Sequence, residues 1–450
     1  MKLTFHGGAE FVTGANYMVE VGKTKILVDC GLFQGSRYAE RQNFEPFPYD
    51  PRDIEAIFIT HAHIDHIGRL PMLYKQGFHG TIYSTPPTKD FAELLLLDSE
   101  HILSEEAKHA KKESPYDTQD VQEVMKLWKK RQYHEKIQVR SFEAEFINAG
   151  HVLGSSSVLV HAEGKKVLFS GDLGNIDAPF ITGKEYPKDV DYALVESVYG
   201  GRIHEEMEER KSKMEALVEE TVKAGGVLMM PAFALERTQQ LLYEFNDLVE
   251  NDKIPDIPIF LDSPLAIKLT AIYQKYSKDP VYFQGKAIEL IKGGDAIFDF
   301  PGLQMTLTTL QSKQIAHVVP PKVVIAGAGM SNGGRIIHHE KAYLSDPKSS
   351  ILFIGYQASG SLGRRILDGV EKVKILREEV PVRCRKETIQ GYSAHADQDE
   401  LVNWLSHLKN AKKVFVTQGE PEEAEALAER ARTELGIEIS VPKQRDVQEL

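Results

Sequence analysis

The alternation of apolar and polar positions divides the chain into stretches of different period. Early on, short apolar runs stop at polar, turn-forming residues. "KILVDCG" passes Asp29, "AIFITHAH" runs into His61 and His63, and "DYALVESVYG" reaches Glu196. "VLVHAEGKKVLFSGDLG" reads as a hairpin whose second strand ends at Asp172. Such runs predict buried strands, and their polar ends are where α/β proteins carry chemistry. Between Lys89 and Lys136 the spacing becomes helical and rich in Leu, Glu, Lys and Ala, which predicts helices on one side of the sheet. From about Gly201 to Leu376 a strand–turn–helix unit recurs in "GVLMMPAFALERTQQLLYEF", "PIFLDSPLAIKLTAIY", "KVVIAGAGMSNGGRIIHH" and "SILFIGYQASGSLGRRIL". That pattern predicts a doubly wound parallel sheet in a domain of its own. The tail returns to strand-like sequence around "CRKETIQGYSAHADQDELVNWL" and "KKVFVTQGEPEEAEALAERA".

Composition narrows the class. A chain of 450 residues, 42% hydrophobic and 27% charged, has room for two or three ordinary globular domains. No apolar run approaches the roughly 20 residues that span a bilayer, and "MKLTFHGGAEF" lacks the apolar segment of a signal peptide. No membrane partner is expected. Two cysteines, Cys30 and Cys384, exclude a disulfide scaffold and fit a reducing cytoplasm. With a net charge of −12, any nucleic-acid partner must be met by a local basic surface.

The chemistry concentrates in "THAHIDHIGRLP". Imidazole and carboxylate suit zinc and similar borderline metals. In an extended segment His61 and His63 point the same way. Asp65 and His66 follow after the chain turns and can face a second metal. His151 in "NAGHVLGSSS" and Asp172 in "SGDLG" are the further candidates. In "GAGMSNGGR", Gly327, Gly329, Gly333 and Gly334 stand between a strand and a helix, with Ser331, Asn332 and Arg335 among them. Small residues there permit close backbone approach to phosphate. Arg364, Arg365 and Arg237 extend a candidate phosphate track. His338 and His339 read as structural, His204 as a loop residue, and Phe233 as a core aromatic rather than a base-stacking one.

"THAHIDHIGRLP", "AGHVLGSSS" and "FSGDLG" resemble the metallo-β-lactamase superfamily. "VESVYG", "PAFALERTQ", "GYSAHADQDEL" and "VFVTQGEPE" narrow the resemblance to the β-CASP nucleases, in the RNA-processing branch related to the cleavage-and-polyadenylation endonuclease. The resemblance implies an αββα metallo-β-lactamase sandwich formed by residues 1–200 and 377–450. A β-CASP domain, a parallel sheet flanked by helices, would be inserted at 201–376, with the active site between the two. It implies two Zn²⁺ per chain: His61, His63 and His151 on one, Asp65 and His66 on the other, and Asp172 bridging. Asp29 becomes a carboxylate that orients ligands. His395 becomes the general acid for the departing 3′-oxygen, with Glu196 fixing and charging its ring.

One residue departs from the pattern. Where the family carries the histidine of a His-Gly-Glu turn, this chain has Gln418. An amide oxygen is a poorer zinc donor than imidazole, so the second site is expected to be weaker or to accept Mn²⁺. The expected activity is hydrolysis of single-stranded RNA, endonucleolytic and with a 5′-to-3′ exonucleolytic mode, leaving a 5′-phosphate and a 3′-hydroxyl. A homodimer is compatible with the resemblance. The alternatives are a DNA nuclease, a small-molecule hydrolase of the superfamily, and a catalytically weakened RNA-binding subunit.

Overall fold

The computed structural model describes the chain apart from residues 36, 177, 178, 205, 206, 356, 359, 390 and 391, and apart from the side chains of residues 37, 110, 207 and 208. Two compact units result, residues 1–203 with 394–450, and residues 204–393.

The first unit is built on two seven-stranded sheets. One runs Val447–Glu449, Lys2–Gly7, Asn16–Val21, Thr24–Val28, Ile54–Phe58, Thr81–Ser84, Trp128–Lys130. The other runs Ile439–Ser440, Lys413–Thr417, Tyr192–Glu196, Lys165–Phe169, Ser156–Ala162, Phe142–Asn148, Ile137–Val139. Side chains alternate across a strand. Phe5, Val19, Val28 and Phe58 of the first sheet therefore meet Phe146, Val158, Phe169 and Phe415 of the second in one buried cluster. On the outer face of the second sheet, Val195, Val414 and Val416 pack under Leu401, Trp404 and Leu405 of the helix Gln398–Ser406 and Leu427 and Ala428 of Pro421–Leu435. The stretch predicted to be helical becomes Pro86–Ala110 and Thr118–Lys126, packed on each other. The second of these starts at a capping box, in which Asp117 accepts from the Asp120 N–H and Asp120 accepts from the Asp117 N–H, each at 3.0 Å. Its far end differs from expectation, because Trp128–Lys130 adds a parallel edge strand to Thr81–Ser84. These layers form the αββα sandwich.

The second unit is centred on a six-stranded sheet in the order Leu303–Met305, Ile259–Asp262, Lys322–Ala326, Val227–Pro231, Ser350–Ile354, Arg385–Ile389, parallel throughout. Its apolar runs are buried on both faces, as a parallel sheet covered by helices requires. The chain re-enters the first unit at Ala394, later than the expected residue 377. Glu378–Pro381 pairs with Lys372–Ile375, and Arg385–Ile389 satisfies the edge of Ser350–Ile354. Those backbone hydrogen bonds tie residues 378–389 to the second unit. Cys30 and Cys384 are both buried and unpaired. Among the described residues no helix is long and apolar enough to cross a membrane.

A candidate metal centre and its acid–base pair

Strand ends of both sheets of the first unit deliver the site. Thr60 and His61 follow Ile54–Phe58, and His63 caps the short helix Ile64–Ile67, which carries Asp65 and His66. That helix lies tight against the turn after Thr24–Val28: a Cβ on Gly31 would fall 1.5 Å from the Asp65 carbonyl oxygen, so only glycine fits there. Asp29 adopts φ 59° and binds the histidine loop through both carboxylate oxygens. Oδ1 accepts from the Thr60 N–H and Oδ2 from the Thr60 hydroxyl, each at 2.8 Å, and Oδ2 lies 2.7 Å from His66 Nδ1. Asp29 therefore ties Thr60 and the His66 ring together as well as making the turn. Thr60 was missed in the sequence because a threonine at a strand end carries no spacing signal.

Four lone-pair atoms converge at the centre. His61 Nε2 is 2.9 Å from His63 Nδ1 and 3.4 Å from Asp172 Oδ2. His151 Nε2 is 3.3 Å from His63 Nδ1 and 3.6 Å from Asp172 Oδ2. A tetrahedral zinc with ligands near 2.0–2.2 Å sets its ligand atoms ~3.3–3.6 Å apart. The donor set fits a metal in chemistry, and the separations fit apart from the His61–His63 pair, which at 2.9 Å would have to open slightly. Burial holds His63 and His151 well below the usual imidazole range, which favours the neutral ring, with one nitrogen lone pair able to bind a cation. These four residues could hold a metal ion.

Asp172 turns its other oxygen the opposite way. Its Oδ1 is 3.2 Å from His66 Nε2, and Asp65 Oδ2 is 3.9 Å from the same nitrogen. Gln418, buried and at φ 50°, completes this second group. Its Nε2 lies 3.0 Å from Asp172 Oδ1, to which it donates, and 3.0 Å from His66 Nε2. Burial alone would lower His66, but Asp172 and Asp29 outweigh it and raise its pKa well above normal. The two carboxylates thus create a demand for positive charge at this imidazole.

His395 reaches the same centre. Residues 394–396 pair with 173–175: the Asn175 N–H donates to the Ala394 carbonyl at 2.9 Å, and the Ala396 N–H donates to the Leu173 carbonyl at 2.8 Å. This places His395 Nδ1 3.0 Å from Glu196 Oε1 and 3.9 Å from Asp172 Oδ2. Glu196 is fully buried and also accepts from the Leu173 N–H at 2.8 Å and the Val198 N–H at 3.2 Å. Burial pushes the Glu196 carboxyl up, and the facing His395 works against that shift.

The residues of the expected phosphate track differ in how far they are engaged within the second unit. The Arg335 guanidinium is taken up by Asp262 Oδ1 at 2.8 Å and by the Thr306 and Leu307 carbonyls at 2.9 and 3.1 Å. Four donors converge on the buried Asp262, because Thr306, Ser312 and His339 also bind it, so three of the five Arg335 N–H groups are held within this unit. Ser331 is buried, with its hydroxyl on Glu340. Asn332 is exposed, but its Oδ1 accepts from the Leu362 N–H at 2.9 Å. Gly333 faces open space, Arg364 pairs with its helix neighbour Asp368 at 2.8 Å, and Arg365 is exposed. His339 is structural, as expected. Phe233 is exposed, contrary to the core reading.

The chain matches the metallo-β-lactamase superfamily over residues 10–225, the Beta-Casp domain over residues 238–366, and the Zn-dependent metallo-hydrolase RNA specificity domain over residues 379–442. It belongs to the β-CASP family of metallo-β-lactamase-fold nucleases. It is 35% identical to Ribonuclease TTHA0252 of Thermus thermophilus over 95% of each chain. It is 28% identical to the RNase J-like protein of Methanocaldococcus jannaschii over 98% of this chain and 97% of that one. It is also 28% identical to the transcription termination factor FttA of Methanosarcina mazei, over 97% of this chain and 70% of that one. A solved structure of a protein of unknown function from Enterococcus faecalis shares the fold, with a TM-score of 0.56 and 14% identity over 100% of this chain and 99% of that one.

Proposed function

We propose that this protein is a metal-dependent ribonuclease that hydrolyses phosphodiester bonds of single-stranded RNA, as an endonuclease with a 5′-to-3′ exonucleolytic mode. The observation that carries this reading is the His395–Glu196 pair, with His395 Nδ1 3.9 Å from Asp172, one of the four residues that could hold a metal ion. A proton donor beside a metal centre is what a displacement with an alkoxide leaving group needs.

His61, His63, His151 and Asp172 would hold one zinc. Asp65, His66 and Asp172, with Gln418, would hold a second and weaker one, open also to Mn²⁺. When bound, such metals neutralise charge developing on the phosphoryl oxygens and make water a better nucleophile at neutral pH. The protein's own groups do the rest. Asp172 faces both positions through separate oxygens. Asp29 fixes the His66 ring. Glu196 takes Nδ1 of His395, which leaves Nε2 to deliver a proton to the 3′-oxygen, so the products are a 5′-phosphate and a 3′-hydroxyl.

RNA is preferred over DNA as substrate on the strength of the RNA specificity domain match and the ribonuclease relatives. The retained His395 disfavours a scaffold role. The cytoplasm is the expected compartment, supported by two buried free cysteines. A homodimer is the expected assembly, to be checked by light scattering. The first test is cleavage of end-labelled RNA and DNA oligonucleotides of one sequence with added zinc. Cleavage of RNA to 3′-hydroxyl products is expected, and cleavage of DNA alone would replace this reading with a DNA nuclease.

A further inference from the structure

In the second unit the loops after Val227–Pro231 and Lys322–Ala326, two neighbouring parallel strands, leave in opposite directions. The chain from Pro231 goes on to Ile259–Asp262, on the far side of Lys322–Ala326. The chain from Ala326 goes on to Ser350–Ile354, on the far side of Val227–Pro231. Such a switch in strand order opens a crevice at the carboxyl ends of the strands, where open α/β sheets bind ligands.

Phe233 stands in the first of these loops. Among the described residues it is the one exposed phenylalanine, at 41%. Its ring lies against Gly329 of the second loop, where an added Cβ would fall 2.7 Å from the ring. Both supports are fixed. The Phe233 carbonyl accepts from the Thr238 hydroxyl at 2.8 Å, the Ala232 N–H donates to the Ala326 carbonyl at 3.0 Å, and Gln357 Nε2 donates to the Gly329 carbonyl at 3.1 Å. Farther along the same turn, Arg237 is largely buried. Its Nη1 makes no hydrogen bond among the described residues and meets Glu236 Oε2 only at 3.4 Å. An exposed ring on the same turn as a guanidinium whose Nη1 lacks a hydrogen bond suits a flat group attached to an anion.

We propose that Phe233, held on Gly329, is a stacking platform for one nucleobase of the RNA strand, with Arg237 drawn to the neighbouring phosphate. This inference rests on the ribonuclease reading and adds a subsite to it. Stacking on a preformed ring is sequence-tolerant and strengthens binding roughly tenfold or more per base.

The test uses short RNA oligonucleotides that each lack the base at one position, with metal-loaded wild type, Phe233→Ala and Phe233→Trp. In wild type, removing the base at one position is expected to raise KM about tenfold, with kcat little changed. In Phe233→Ala the same removal has almost no effect, and Phe233→Trp restores the sensitivity. Metal content and melting temperature should match wild type in both variants, because the ring is exposed. If base removal and Phe233→Ala are additive at every position, the platform is refuted and the ribonuclease reading stands. If wild type cleaves no RNA, the ribonuclease reading falls and takes the platform with it.

Discussion

Gln418 is the residue on which the metal chemistry turns. Its amide sits where Asp172 Oδ1 and His66 Nε2 face one another across 3.2 Å. A cation there must displace those contacts, or turn the amide to present its oxygen. The hydrogen bond from the Gln418 amide to Asp172, at about 1 kcal/mol, corresponds to roughly fivefold weaker binding, before the poorer donor quality of an amide oxygen is added. After dialysis against dilute chelator, wild type should retain about one metal per chain and Gln418→His about two, as read by elemental analysis. Equal retention by both would contradict this account. At the acid, His395→Ala should lower kcat by about 10²–10⁴ with metal content unchanged. If the metal were lost together with activity, His395 would be a ligand, which its place in a cluster with Asp172 and Glu196 makes worth testing. Both residues stand out in the sequence because each falls in a short motif. The pairing of Arg335 with Asp262 does not, since its partner is chosen by the packing of a distant strand end.

At the level of elements, the helix Ile336–Tyr343 carries a buried acid, Glu340, beneath the glycine-rich loop. Burial raises its carboxyl from 4.5 to about 7, with the Ser331 hydroxyl pulling the other way, and Oε2 has no hydrogen-bond partner. Above pH 4.5 the unfolded chain releases this proton while the folded chain keeps it. Stability therefore falls as pH rises from about 4.5 to about 7 and is flat beyond. Glu340→Gln keeps the hydroxyl partner and removes the titration. Denaturant melts should show the variant equal to wild type near pH 4.5 and more stable at pH 8, by up to roughly 3 kcal/mol. A gain of the same size at both pH values would assign the effect to packing instead. The strands and helices of this unit follow the strand–turn–helix repeats in the sequence. The last strand, Arg385–Ile389, shows no such repeat, because what makes it a strand is the edge offered by Ser350–Ile354.

Across the whole molecule, the residues that would hold metal all lie in the unit formed by 1–203 and 394–450. A ligand that binds only the folded form stabilises it by about 4 kcal/mol at a thousand times its dissociation constant. Calorimetry with and without chelator should therefore shift the transition of this unit and leave that of residues 204–393 in place, with cleavage lost and then regained on adding zinc. A shift confined to the second unit would put the metal elsewhere.

The sequence by itself determined the parts that local chemistry dictates. Three histidines and an aspartate within one turn, polar residues closing apolar runs, and a fourfold βα repeat leave few folds and few ligands open. Asp29, His151, Asp172, Glu196 and His395 could be named because each ends a strand or falls in a short motif. The tertiary structure alone decided which polar groups remained available. Arg335 is partly engaged by Asp262 and the Ser331 hydroxyl is taken by Glu340, Phe233 is held out against Gly329, and the return to the first unit waits for a sheet edge to be filled. Spacing along a chain fixes direction, whereas pairing and exposure depend on which distant surfaces pack together, and no local pattern encodes that.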